Sequence, residues 1–482
     1  MTKTIKNPYE VACVGEKKIY VIVSDDKFYK KIVEILQEYY PFYTFVKHDN
    51  PYGDYYLITI KDDTLFLSVR ESHKKIHYDG SIALAEMTIT GVKHAFYTLM
   101  KTLLYPLPWG SLVAVRPMSP LKNLVHLSEK EKLLYYQKNF DTTPFRANLA
   151  IKINEIEEKL LEEYKDNVGL YINIPFCPSR CTYCSFPTIV SQSSRQLIKD
   201  YLKVLCREIV LSQKLFKHKT VGQIYIGGGT PAILEANEMN QLLSTIVKYF
   251  RLKKNCELSI EMGRPELITE EKLKVLSHFG TTHLSINPQT LYEDTLLKIN
   301  RRHTRAEFYD AFEKVSQYTK AKVNIDLIMG LIDENQKIYQ NTLSEVSTLS
   351  PNFITVHTLC AKRGATGYYH NEANGVLDIS AINTMWQFTY EHLTLAGYRP
   401  YYLYRQKRMV APFENIGFSK EGYNSYNVLM MTGRYPILGL GMGATSKIIM
   451  KDKTMTVLNY RNMRDYMKYY QQSIDEKSKL LV

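Results

Sequence analysis

The apolar positions of this chain follow two rhythms. Up to about residue 125, the runs KKIYVIVS, FYTFVKH, DYYLITIK and TLFLSVRE predict strands, and DDKFYKKIVEILQEYY repeats its apolar positions at helical spacing. SIALAEMTITGVKHAFYTLMKTLL predicts a longer helix that stops at the loop YPLPWGSLVAVRPMSP. Residues 1–125 therefore read as an N-terminal α+β domain with no evident chemistry, and the charged, helical residues 126–167 as a connector. From Gly169 the rhythm becomes strand, loop, helix. GLYINIPF, QIYIGGGTP, CELSIEMG, THLSINPQ, KVNIDLIMG and NFITVHTL are short apolar runs separated by amphipathic helices such as QLIKDYLKVLCREIVLSQKLF. Each strand must return to the same end through its helix, so residues 168–374 predict a parallel α/β core, either an open sheet or a barrel short of eight strands. Residues 375–482, with the Tyr- and Arg-rich GYRPYYLYRQKRM and the glycine-rich turn ILGLGMGATS, read as a C-terminal domain.

Polar residues interrupt these runs at their C-terminal ends. Cysteines follow the first strand, Gly227 to Thr230 the second, Glu261 closes the third and Gln289 the fourth; Asp326 lies in the fifth and Cys360 ends the sixth. In parallel α/β folds these ends converge on one pocket.

Composition narrows the class. With 45% apolar residues, 482 residues bury a full-sized core of two or three domains, and no run is long enough to cross a bilayer. The N-terminal residues lack the apolar segment of a secretory signal, so the expected location is cytoplasmic. A net charge of +13 favours anionic partners, yet the lysines are scattered over helix faces, as in IKINEIEEKLLEEYK, where solvated surface is the better explanation. No RNA-binding module is recognisable, which makes nucleic acid an unlikely partner.

Of seven cysteines, Cys177, Cys181 and Cys184 fall within IPFCPSRCTYCSF; Cys13, Cys206 and Cys256 read as packing residues. A structural zinc site takes four ligands and the chain has no second Cys pair. A 4Fe–4S cluster held by three thiolates instead leaves one iron for an external ligand.

YxNIPFCxxxCxYC followed by GGGTP resembles the radical S-adenosylmethionine (SAM) superfamily. The fold that this implies is a partial (β/α)6 TIM-like barrel. The implied cofactors are a 4Fe–4S cluster on Cys177, Cys181 and Cys184, and SAM bound at its open iron. HLSINPQTLYEDTLLKINRRHT and VNIDLIMGL further resemble the oxygen-independent coproporphyrinogen III oxidase family, and PWGSLVAVRP, ENIGFSKEGYNSYNVLMM and LGLGMGATSK its HemZ-type branch. Matched position by position, Tyr171, Tyr183, Gly228, Gly229, Thr230, Glu261, Gln289, Arg301, Asp326 and Cys360 fall on SAM-binding positions; Thr445 matches too. Singly, Glu261, Gln289 and Asp326 have bland readings as capping or turn residues, and Arg302 is a twin of Arg301. The GGGT turn is expected to let backbone approach the SAM methionine without an intervening Cβ.

The resemblance implies oxidative decarboxylation of two propionates of coproporphyrinogen III to vinyl groups, started by a 5′-deoxyadenosyl radical. A flavodoxin or ferredoxin is the expected electron donor. Arg399, Arg405 and Arg408 are candidate anchors for the substrate carboxylates. Two departures stand out: Asn173 occupies a position that is His in many of these oxidases, and Phe186 replaces a fourth nearby cysteine. Relatives that act as haem-binding chaperones carry an HNxxYW-like motif where this chain reads YNSYNVLMM. A radical SAM activity on another substrate, including tRNA, is the remaining alternative.

Overall fold

The structure is a computed structural model that describes residues 18–48, 53–72, 74–190, 195–216, 218–360, 365, 379–450 and 453–480; Cys13 lies outside them. Strands β1 (Lys18–Val23), β2 (Thr44–Lys47), β3 (Tyr55–Lys61), β4 (Thr64–Glu71) and β5 (Ile76–Ala83) form one sheet in the order β2-β1-β3-β4-β5. Helices α1 (Asp26–Tyr39) and α2 (Ile89–Leu103) accompany it, and the unit has its own core around Ile19, Val21, Ile32, Ile58 and Phe96. The helix expected from Ser81 begins only at Ile89. Residues 81–83 finish β5, and the Thr88 hydroxyl accepts from Gly91 N as the helix cap.

Helices α3 (Glu129–Phe140) and α4 (Pro144–Glu163) lead into an 11-stranded sheet. It contains β6 (Asn167–Ile174), followed by the short ladder β7 (Phe176–Cys177) and β8 (Ile189–Val190), which belongs to a separate two-stranded sheet. The series continues with α5 (Arg195–Ser212), β9 (Thr220–Gly228), α6 (Ala236–Tyr249), β10 (Leu252–Glu261), α7 (Glu270–His278) and β11 (His283–Gln289). Then come α8 (Glu293–Lys298), α9 (Arg305–Tyr318), β12 (Lys322–Met329), α10 (Gln336–Thr348) and β13 (Phe353–Thr358). Six strands pair in parallel in the order β13-β12-β11-β10-β9-β6, which is the expected partial barrel. Helix cover on the sheet explains why β6 is buried along nearly its whole length.

The remaining elements are α11 (Ile379–Leu395), β14 (Arg399–Tyr404), β15 (Asn415–Ser419), α12 (Ser425–Thr432), β16 (Ile437–Leu440), β17 (Thr445–Ile449), β18 (Thr454–Leu458) and α13 (Met463–Leu480). Strand β15 extends the sheet antiparallel to β13, and β14 pairs antiparallel with β15 at the sheet's edge. The stretch read as a glycine-rich turn is partly a strand: β16 runs parallel to β6, and only Gly441–Gly443 turn. Among the described residues, every strand from 379 onward thus joins the core sheet.

Candidate active site

Two adjoining cavities open at the C-terminal strand ends. One, of about 310 Å3, is lined by Cys177, Cys181, Cys184, Tyr183, Thr230, Gln289, Arg301 and Cys360; the other, of about 420 Å3, by Tyr171, Thr445 and further tyrosines. Gly228, Gly229, Glu261 and Asp326 line both. Each cluster cysteine and each SAM-position residue expected from the sequence therefore reaches one of these two walls.

The cysteine loop is fixed at several points. β7 pairs with β8, Thr182 N donates to Ile299 O at 3.1 Å, and the Ser179 hydroxyl donates to Asn300 O at 2.9 Å. Asn300 Nδ2 returns a bond to Arg180 O at 2.8 Å. Arg264, which the sequence did not single out, donates through Nη2 to Ser179 O at 2.8 Å and to Cys181 Sγ at 3.0 Å. Burial pushes the Cys177 thiol up to about 12 and raises Cys184, with Arg264 opposing both. Thiolates here require a strong positive centre, which bound iron supplies. Among the described residues no three Cys, His, Asp or Glu side chains converge on a single ion. A four-iron cluster takes its thiolates from a wider triangle, so the donor set fits the cluster.

The polar wall fits SAM. Thr230 Oγ1, Asn287 Oδ1 and Gln289 Oε1 are buried without a hydrogen-bond partner among the described residues, and Asn287 and Gln289 line the cysteine cavity. Gln289 holds φ +70° where the β11–β12 register shifts between Ile286 and Gln289, an irregularity of the kind that re-aims a side chain. Arg301 is the buried member of its pair: it donates to the Tyr183 hydroxyl at 3.1 Å and to the carbonyls of Gly263 and Asn287, whereas Arg302 is exposed.

The glycines also serve the protein's own packing. A Cβ on Gly228 (φ +112°) would stand 1.8 Å from Asn173 Oδ1, and one on Gly229 2.4 Å from Phe176 O. Both are required by the protein's own packing against β6 and the cysteine loop. Asn173, in the position of the family His, accepts from the Tyr171 hydroxyl at 3.1 Å and donates to Met442 O at 2.5 Å, tying β6 to the glycine turn.

Between the cavities, the Tyr225 hydroxyl donates to Glu261, and Tyr225 stacks on Tyr426 with centroids 4.6 Å apart and on Tyr171 at 6.3 Å. Burial, reinforced by the Asp326 charge, raises Glu261 to about 7. Asn324 Nδ2 donates to Asp326 at 2.7 Å, and His357 Nε2 stands 3.7 Å from the same carboxylate. Tyr225, Asn287 and His357 were missed in the sequence, although Tyr225 and His357 lie on the same strand ends as the residues found. Cys360 donates to Lys407 O at 2.9 Å. Phe186, 60% exposed, stands where the two cavities meet.

The proposed carboxylate anchors do not reach this site. Arg405 is buried elsewhere, bonded to the Glu38 carboxylate and to Leu112 O and Phe413 O, where it docks α1 on the barrel. Arg399 bonds the carbonyls of Thr394 and Tyr398, and Arg408 lines neither cavity. Of the three, Arg405 belongs to the junction with the N-terminal unit.

Parallel barrel, thiol loop and polar wall define a class that the comparisons identify. Residues 171–346 match the radical SAM superfamily, and the cofactors of this oxidoreductase class are a 4Fe–4S cluster and SAM. The chain is 34% identical to the oxygen-independent coproporphyrinogen-III oxidase-like protein HemZ of Bacillus subtilis, over 77% of each chain. It is 24% identical to the haem chaperone HemW of Lactococcus lactis, over 64% of this chain and 75% of that one. Coproporphyrinogen III oxidase (HemN) of Escherichia coli shares the fold, with TM-score 0.55 and 22% identity over 66% of this chain and 72% of that one. The chain belongs to the radical SAM superfamily and, within it, to the oxygen-independent coproporphyrinogen III oxidase-like family of the HemZ type.

Among the described residues no helix is long and apolar enough to cross a membrane.

Proposed function

We propose that the chain is an oxygen-independent coproporphyrinogen III dehydrogenase, which converts two propionates to vinyl groups and yields protoporphyrinogen IX in haem biosynthesis. The observation that carries this reading is the shared wall: Glu261 and Asp326 separate a thiol-lined cavity from a tyrosine-lined one. Cofactor and substrate side arm would meet across them. Cys177, Cys181 and Cys184 hold the cluster in this reading. Thr230, Gln289, Glu261, Asp326 and Arg301 hold SAM, with Tyr171, Tyr183, Gly228, Gly229 and Cys360 completing its surroundings. When bound, the two cofactors supply a carbon radical able to take a hydrogen atom from a propionate β-carbon. The chain's own residues orient and shield. Arg264 steadies Cys181, the Tyr171–Tyr225–Tyr426 stack forms a dry wall, and Tyr225 fixes the Glu261 carboxylate. Loss of a hydrogen atom, an electron and carbon dioxide from each propionate forms the vinyl group, so turnover needs an electron acceptor besides a donor such as flavodoxin or ferredoxin.

The test uses coproporphyrinogen III deuterated at the propionate β-carbons, under anaerobic conditions with reductant. Deuterium is expected in 5′-deoxyadenosine, and SAM cleavage without deuterium transfer would contradict the proposal. A second reading, haem chaperone, draws on His357, Met430 and Met431 in the wall of the larger cavity. It predicts tight haem binding that His357→Ala abolishes, with porphyrinogen left unchanged.

A further inference from the structure

A tetracarboxylate needs cations, and the larger cavity has few. Among the described residues that line it, Lys447 is the only Lys or Arg. It comes from β17, where burial alternates: Ser446 and Ile448 pack inward, while Thr445 and Lys447 line the cavity. Lys447 Nζ donates to Met430 O at 2.8 Å, which leaves two N–H donors of the ammonium. Burial, with the nearby Arg116 charge, lowers Lys447 to about 8, so a partner anion would stabilise its charged form.

A four-ring substrate carries four carboxylate arms, and a single cation in the cavity pairs only one of them. The others have a place. Pro187 and Thr188 also line a second, open groove that contains Arg461, Arg464 and Lys468, all exposed, with Met442, Met463 and Met467 as its apolar floor. No Asp or Glu is among its described lining residues. Gly443 marks the junction: a Cβ there would lie 3.8 Å from Arg461 Cγ and 3.9 Å from Pro187 Cγ, and Gly443 itself lines the cavity. Cavity and groove therefore adjoin at Pro187 and Thr188.

We propose that a polycarboxylate substrate binds across the two, with Lys447 pairing one carboxylate inside the cavity and Arg461 and Arg464 taking carboxylates that remain in the groove. The identity of the substrate rests on the decarboxylation reading above; the anchors rest on the geometry. They replace Arg399, Arg405 and Arg408.

The test titrates coproporphyrin III, the stable fluorescent porphyrin with the same four carboxylates, into the cluster-loaded protein without SAM or reductant. Lys447→Met should weaken binding roughly tenfold to a hundredfold, the loss of one charge-assisted pair. Lys447→Arg should restore most of it. The Arg461→Gln/Arg464→Gln double variant should weaken binding about tenfold, less because those pairs are exposed. Coproporphyrin tetramethyl ester, which lacks the charges, should bind parent and variants alike. Unchanged affinity of the Lys447→Met protein with an intact cluster chromophore would overturn the proposal. If the double variant binds coproporphyrin normally and is slowed only when a protein replaces a chemical reductant, the groove docks the electron donor, and the outer anchors are wrong. A protein that binds coproporphyrin through these residues but never decarboxylates coproporphyrinogen keeps the anchors and loses the proposed activity. Decarboxylation with KM unchanged in every variant does the reverse.

Discussion

Glu261 offers a prediction that needs no cofactor. Its carboxyl has an ordinary value of 4.5 and is raised to about 7 in the fold, first by burial and then by Asp326, against the hydrogen bonds from Tyr225 and the Gly228 N–H. Between these two values the folded chain keeps a proton that the unfolded chain has released. The site's contribution to stability therefore falls as pH rises from 4.5 to about 7. At roughly 1.4 kcal/mol per pH unit this interval amounts to about 3 kcal/mol, an upper end because the carboxylate faces a cavity that water reaches. Glu261→Gln keeps an acceptor for Tyr225 and removes the titration. Urea unfolding of cluster-free protein at pH 5 and pH 8 reads the effect as a difference from the parent, which cancels Glu157 and Glu334, two further carboxyls raised to about 7 by burial. The variant should match the parent at pH 5 and exceed it by 1–3 kcal/mol at pH 8, on the order of the interval above. The same variant, loaded with cluster, should bind SAM about tenfold to a hundredfold more weakly, the loss of one hydrogen bond to a charged group. An equal stability gap at both pH values would refute the burial argument for this carboxylate.

Four further outcomes follow from the geometry. Replacing Cys177, Cys181 or Cys184 by Ala should abolish or destabilise the cluster absorbance, whereas Cys206→Ser and Cys256→Ser should keep it and cost only about 1 kcal/mol in unfolding experiments. Gln289→Gly should relax the positive φ and stabilise the fold by about 1 kcal/mol in urea unfolding, while calorimetry shows weaker SAM binding. Glu414→Gln strands buried Arg146, whose Nε lies 3.2 Å from the Glu414 carboxylate shared with Trp109 Nε1; thermal or urea unfolding should show a loss of about 3–5 kcal/mol. Arg301→Ala should lower SAM cleavage with the cluster chromophore retained, and Arg302→Ala should leave both near the parent level.

The barrel and the strand-end residues were readable because each parallel strand is nearly all apolar until a polar residue breaks it at the C-terminal end; Glu261, Gln289 and Asp326 announce themselves that way. Cys177, Cys181 and Cys184 are local in sequence and were equally plain. Arg264 was not, because its partner Cys181 is 83 positions away and only folding places them 3.0 Å apart. The arginines of GYRPYYLYRQKRM misled for a related reason. Charge shows in a sequence, but burial does not, and Arg405 spends its charge on Glu38 of the N-terminal unit. Lys447 was hidden in ILGLGMGATSK, where the glycines suggest a turn and conceal that Ile437–Leu440 is a strand beside β6. The start of α2 at Ile89 was lost because β5 ends in the small, apolar SIA, which continues the helical pattern without a break.

The central claim is tested most directly by anaerobic product analysis. Coproporphyrinogen III, SAM, a strong reductant and an electron acceptor are supplied to the cluster-loaded chain. The account predicts two molecules of carbon dioxide and two of 5′-deoxyadenosine for each divinyl product formed, with turnover stalling when the acceptor is withheld. Tight haem binding with unchanged coproporphyrinogen, under conditions in which another oxidase of the family is active, would contradict it.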